Sequence, residues 1–150
     1  MPESVFGDFD WFLTFAKHTR LLSRALTSLF SVGVGGKPRE YYVTLIDRLN
    51  ADLEQWRSSI PANWRPGEQF TAHQLQEKDY LVRPLALWTL FLYNGFRLSL
   101  LRATLHLTIH FNRVVNAETQ TDITKQLMET SRAILELLSF LDAEPHTPLW

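Results

Sequence analysis

Pro84–Asn112, PLALWTLFLYNGFRLSLLRATLHLTIHFN, decides the fold. Leu, Trp, Phe, Tyr and Ile fall on every side of a helical projection of this stretch. A helix that is apolar all round is buried on most of its circumference. About 20 apolar residues also span a bilayer. Asn94, Arg97, Ser99 and Arg102 interrupt this run, however, and an arginine at mid-membrane is costly. The stretch reads as a central, largely buried helix wrapped by the rest of the chain, with no membrane partner.

The flanking segments supply the wrapping. Asp8 and Asp10 precede an aromatic and aliphatic run, and acidic residues suit the positive end of a helix dipole. Phe12, Phe15, Leu22, Leu26 and Leu29 recur at helical spacing, which predicts a first helix over about Asp10–Ser31. The glycines of Gly33–Gly36 stop it, and Pro38 suits the first turn of the next. Tyr42, Leu45, Ile46, Leu49, Leu53, Trp56 and Ile60 then step by three or four residues, opposite Asp47, Arg48, Asp52, Glu54 and Arg57. That is one buried stripe on an amphipathic helix, ended before Pro61. Ala62–Val82 reads as an ordered connection pinned by Trp64, Phe70 and Tyr80, with a short helical turn around Ala72–Lys78. Arg113–Gln120 reads as a polar link. Thr119 and Asp122 resemble a capping box. They open a last helix with Ile123, Leu127, Ile134, Leu138 and Leu141 on its stripe and Ala133, Leu137 and Phe140 widening it; Glu144-Pro145 closes it. The fold class is all-α, four to five helices around the central one, in a single domain over residues 1–150.

Composition narrows the function. With 45% hydrophobic residues and 21% charged, the chain is globular. At 150 residues it buries roughly 68–70% of its unfolded surface. A formal net charge of −1 gives no global attraction to nucleic acid or to an anionic membrane. Cysteine is absent, which removes disulfides, thiolate metal sites and cysteine nucleophiles together. The N-terminus lacks the basic and apolar regions of a signal peptide.

Few residues carry a chemical signal. His106 and His110, four apart, share a helix face and make half of a zinc site, but a third ligand is required and no Asp or Glu lies between Asp79 and Glu118. Near a helix end the same pair simply favours the dipole. Arg97 and Arg102 are the only charges inside the central helix. They either pair with carboxylates of neighbouring helices, holding it in register, or contact an anion on a ligand or partner. Lys17, Arg20 and Arg24 make a small basic face, too weak for nucleic acid on its own. No GxSxG elbow or phosphate loop is present, and spacing assembles no nucleophile, base and orienting group. The chain reads as a non-enzyme, with no catalytic or metal residues and no cofactor.

Three stretches carry a resemblance. Leu49-Asn50-Ala51-Asp52-Leu53-Glu54-Gln55-Trp56, followed by Ile60-Pro61, resembles "L-x-x-x-L-x-x-W, then L/I-P". Tyr93–Arg102, YNGFRLSLLR, resembles "Y-x-x-x-R-x-x-L-h-R-P", with Leu101 where His is frequent and Ala103 where Pro is frequent. Ser131–Leu138, SRAILELL, resembles "A-A-x-x-I-x-x-L-L", with Pro148-Leu149-Trp150 like the segment that follows it. In that order and spacing they resemble the fungal-specific transcription factor domain, the middle homology region of fungal binuclear zinc-cluster regulators. The resemblance implies an all-helical regulatory domain, nuclear location and a role in transcription. Its partners would be other regions of the regulator or a second copy, with a small-molecule effector. It also implies that zinc and DNA contact belong to a separate six-cysteine module, so that this chain is part of a longer protein. Tyr93, Arg97 and Arg102 fall on the family-like positions and are the candidate regulatory or ligand contacts. The alternative is a helical binding module for a small apolar ligand or a partner helix.

Overall fold

The computed structural model describes residues 9–67, 82–111 and 117–141. Four helices account for most of them: α1 (Trp11–Ser28), α2 (Arg39–Ser58), α3 (Arg83–Phe111) and α4 (Ala117–Leu138). Short 3-10 turns at Val32–Val34 and Ala62–Trp64 follow α1 and α2. No strand occurs among the described residues. The helical turn expected at Ala72–Lys78, the pins Phe70 and Tyr80, and the Glu144-Pro145 stop lie outside the described residues.

Side-chain bonds give the helix directions. Trp11 donates through Nε1 to Thr89 Oγ1 at 3.3 Å, and seven residues on His18 meets the Leu92 carbonyl. Thus α1 and α3 advance together. Trp56 Nε1 donates to the Thr14 carbonyl at 2.8 Å while Arg24 pairs with Asp52, so α2 runs back along α1. Arg83, at the start of α3, donates to the Phe140 carbonyl just beyond the end of α4, at 3.1 Å. α4 is therefore antiparallel to α3. The central helix touches all three others, as the apolar run requires.

The core follows from the sequence stripes, with two rotations. In α2, Ile46, Leu49, Leu53 and Trp56 are buried, as the spacing predicts, and Ile60 beyond the helix end joins them. Leu49, Leu53 and Ile60 are almost wholly inaccessible, each stabilising the fold by about 1.5–3 kcal/mol over the exposed state. In α1 the buried face is His18, Leu21 and Ala25. The expected stripe is displaced: Phe12 is 77% exposed, Leu26 52%, and Leu22 is exposed as well, while Phe15 and Leu29 are half-buried. Small Ala25 allows close approach there. The aromatic walls Trp56 and Phe96 take the His18 ring edge-on, at 4.9 and 5.7 Å between ring centroids.

In α4 the buried residues are Ile123, Thr130 and Leu137, with Leu127, Ala133 and Ile134 half-buried. Leu138 is exposed because it stands about 100° round the helix from buried Leu137, and Leu141 is exposed beyond the helix end, where the chain no longer keeps its phase. The helix also starts at Ala117, so Thr119 lies inside it and is not its cap, and the polar link is shorter than its composition suggests. At α1 the cap is as expected: the Asp10 carboxylate accepts from the Leu13 amide at 2.8 Å, satisfying one of the amides left free in a first turn.

Burial along α3 is graded. Ala86, Leu87, Thr89, Leu90, Tyr93, Phe96 and Leu100 are buried, whereas Leu101 to His110 contains no buried residue. No helix among the described residues is long and apolar enough to cross a membrane.

Candidate functional site

Tyr93, Arg97 and Arg102 do not converge. Tyr93 and Arg97, four apart, share one face of α3. Arg102 lies about 140° round the helix from Arg97 at 100° per residue. Tyr93 is buried, and its hydroxyl donates to Glu54 Oε1 at 3.0 Å. The other Glu54 oxygen accepts from Arg57 Nε at 2.7 Å, so the carboxylate links α2 to α3. Burial first, then the negative charge of Glu54, pushes the Tyr93 phenol above its ordinary pKa; Arg97 and Arg57 oppose this. Tyr93 is a structural tie of the core.

Among the described residues no carboxylate partner holds either arginine in register: neither Arg97 nor Arg102 forms an ion pair there. Glu54, the carboxylate bonded to Tyr93 on that face, also serves Arg57. Arg97 is half-buried and Arg102 exposed. The basic face of Lys17, Arg20 and Arg24 is likewise reduced, because Arg24 pairs with Asp52.

Arg102 belongs to a groove of about 1080 Å³ between the C-terminal halves of α1 and α3. Leu22, Leu26 and Leu29 form the α1 wall, and Phe96, Ala103 and Leu107 form the α3 wall. These three leucines are the ones whose spacing suggested a core stripe. α1 is apolar on two sides, one facing the core and the other this groove. The Phe30–Lys37 connection turns across the same end and contributes to the lining. It is pinned by Tyr42, whose hydroxyl donates to the Val34 carbonyl at 2.7 Å, and Tyr41 reaches the Ser28 carbonyl at 3.3 Å. Gly36 has φ +84°, in the left-handed region that glycine enters without steric cost, and this lets the chain reverse into α2.

The edge of the groove is basic. Arg102, His106 and His110 stand in one column on α3, four residues apart, and Lys37 lines the groove from the connection. The His106 and His110 rings stack, 5.6 Å apart and 8° from parallel. Among the described residues no carboxylate lines the groove. No group of three metal-ligating side chains occurs among the described residues. Sequence spacing had placed Arg102 and the histidines on α3 without the wall opposite them, because that wall comes from residues some 75 positions away.

A second titratable group is buried. His18 is 3% exposed; its Nε2 lies 3.1 Å from the Leu92 carbonyl and is therefore the protonated nitrogen. Its Nδ1 is inaccessible and meets no hydrogen-bond partner among the described residues. Burial lowers its pKa below the ordinary 6.5, opposed in part by the bond to Leu92.

Comparison of the chain with protein-family models, with curated proteins and with solved structures gives no match.

Proposed function

We propose that this chain is a non-catalytic regulatory module, the middle homology region of a fungal zinc-cluster transcription factor, which takes a small effector in the α1–α3 groove. The observation that carries the binding reading is the groove itself. It has apolar walls from two helices, a basic edge and, among the described residues, no lining carboxylate. Concave, mostly apolar sites with a few convergent polar groups are the usual form of a small-molecule pocket. The transcription reading is supported by the three ordered stretches and by what they do in the fold. The first, with Trp56 and Ile60, joins α1 to α2; the second is the middle of α3; the third packs α4 on α3. On this reading DNA is read by a separate cysteine-rich, zinc-holding module. The chain then works in the nucleus against the rest of its regulator or a second copy.

The test is a tethered reporter. The chain, fused to an unrelated DNA-binding module, is expected to change reporter output relative to that module alone. Ala103→Trp, which fills the groove, is expected to abolish any response to added ligand. Reporter output identical with and without the chain would remove the transcription reading. A binding module outside transcription is the second reading, favoured by the exposed Met128, Leu135 and Leu138 on α4. Ligand binding alongside a silent reporter would select it.

A further inference from the structure

The groove's chemistry is specific enough to name its ligand class, an inference that rests on the groove being a binding site. We infer that the α1–α3 groove binds an amphiphilic monoanion, an unbranched acyl chain with one carboxylate, and that Lys37 and Arg102 hold the head.

The walls set the tail. Leu22, Leu26, Leu29, Phe96 and Leu107 offer hydrocarbon, while Ser99 and Ala103 are small and leave room along the α3 side. From Phe96 to His110 the α3 side of the groove runs about 20 Å at 1.5 Å per residue. A helix with its side chains is about 10–12 Å across and needs a trough open at both ends. Here the Phe30–Lys37 connection supplies a further wall, and Tyr42 holds it through the Val34 carbonyl. A single extended chain is the better shape for such a slot.

The head follows from charge. Lys37 and Arg102 bring permanent positive charge to the groove; among the described residues no lining residue is acidic and neither cation is ion-paired. A guanidinium matches a carboxylate with two parallel N–H donors. α2 begins two residues after Lys37, and its N-cap, Pro38, provides no side-chain acceptor. The positive end of that dipole adds to the same field. His106 and His110 lie toward the negative end of α3, so the head is assigned to the permanent cations, Lys37 and Arg102.

The proposal is tested by titration calorimetry on the full chain with laurate, 1-dodecanol and dodecyltrimethylammonium, each below its micelle threshold. The companions are decanoate and the variants Arg102→Gln, Lys37→Gln and Ala103→Trp. Laurate is expected to bind at least tenfold tighter than 1-dodecanol. It should bind about fourfold tighter per methylene than decanoate, since each buried methylene contributes about 0.8 kcal/mol. Arg102→Gln or Lys37→Gln is expected to remove the preference for laurate while leaving 1-dodecanol unchanged; both positions are exposed, and an unaltered melting curve checks the fold. Ala103→Trp is expected to block both ligands. Equal binding of all three headgroups would overturn the anion assignment but leave an apolar site. Binding by none of them to a folded chain would overturn the groove as a ligand site as well.

Discussion

Lowering the pH should weaken this fold through His18. The ring sits between Trp56 and Phe96 and bonds to the Leu92 carbonyl in its neutral form. Protonation would bury an imidazolium whose second nitrogen faces no acceptor among the described residues. The folded-state pKa therefore lies below the unfolded value of 6.5. Between those two values the unfolded chain binds the extra proton, so stability is full above pH 6.5 and falls as the pH drops. From pH 7.5 to 5.5 the His18 contribution to that loss is at most about 1.4 kcal/mol, the limit for a group that never protonates in the folded chain. At this chain length the corresponding ceiling on the Tm shift is roughly 3–6 °C. Other histidines and carboxylates also titrate in the window, so the measurement is a difference. Melting curves are taken across it for the natural chain and for His18→Gln, whose amide keeps a donor for Leu92. The variant should lose less stability on acidification. Parallel Tm–pH profiles would refute the reasoning.

Two further outcomes follow from the helices. Gly95 lies in the middle of α3, and a Cβ there would meet no atom within 4 Å. Gly95→Ala should therefore stabilise the chain by about 0.5–1 kcal/mol and raise Tm by roughly 2–4 °C by calorimetry. Arg24→Gln should change chemical stability by less than about 1 kcal/mol, because its pair with Asp52 is exposed to solvent.

The parts of the fold legible in the sequence were those where one periodicity has one cause. α2 shows this: its stripe from Ile46 to Trp56 faces only the core, and the stripe predicts burial residue by residue. α1 misleads because its apolar residues serve two surfaces, and because the buried centre of its core face is a histidine that hydropathy counts as polar. α4 misleads because its buried line, Ile123, Thr130 and Leu137, includes a threonine and leaves Leu138 to one side, and because helical phase is lost before Leu141. The candidate site was half legible. Arg102, His106 and His110 are visible as a column by spacing alone. What makes them a site is the leucine wall of α1 and the Phe30–Lys37 turn, brought there by tertiary packing. Tyr93 looked like a ligand contact and is a core tie, since the partner that occupies its hydroxyl is 39 positions away.

The graded burial of α3 has a dynamic meaning. Its first two-thirds are clamped on several sides, but from Leu101 onward the helix relies on its own backbone bonds and on partial contact. Such a segment opens locally at lower free energy than the clamped part. Its amides are expected to exchange with solvent first, while those around Tyr93 and Phe96 wait for global unfolding. A ligand lying between α1 and the open turns would then register chiefly as slowed exchange at one end of one helix. Such a change travels as order and needs no displacement of the bundle.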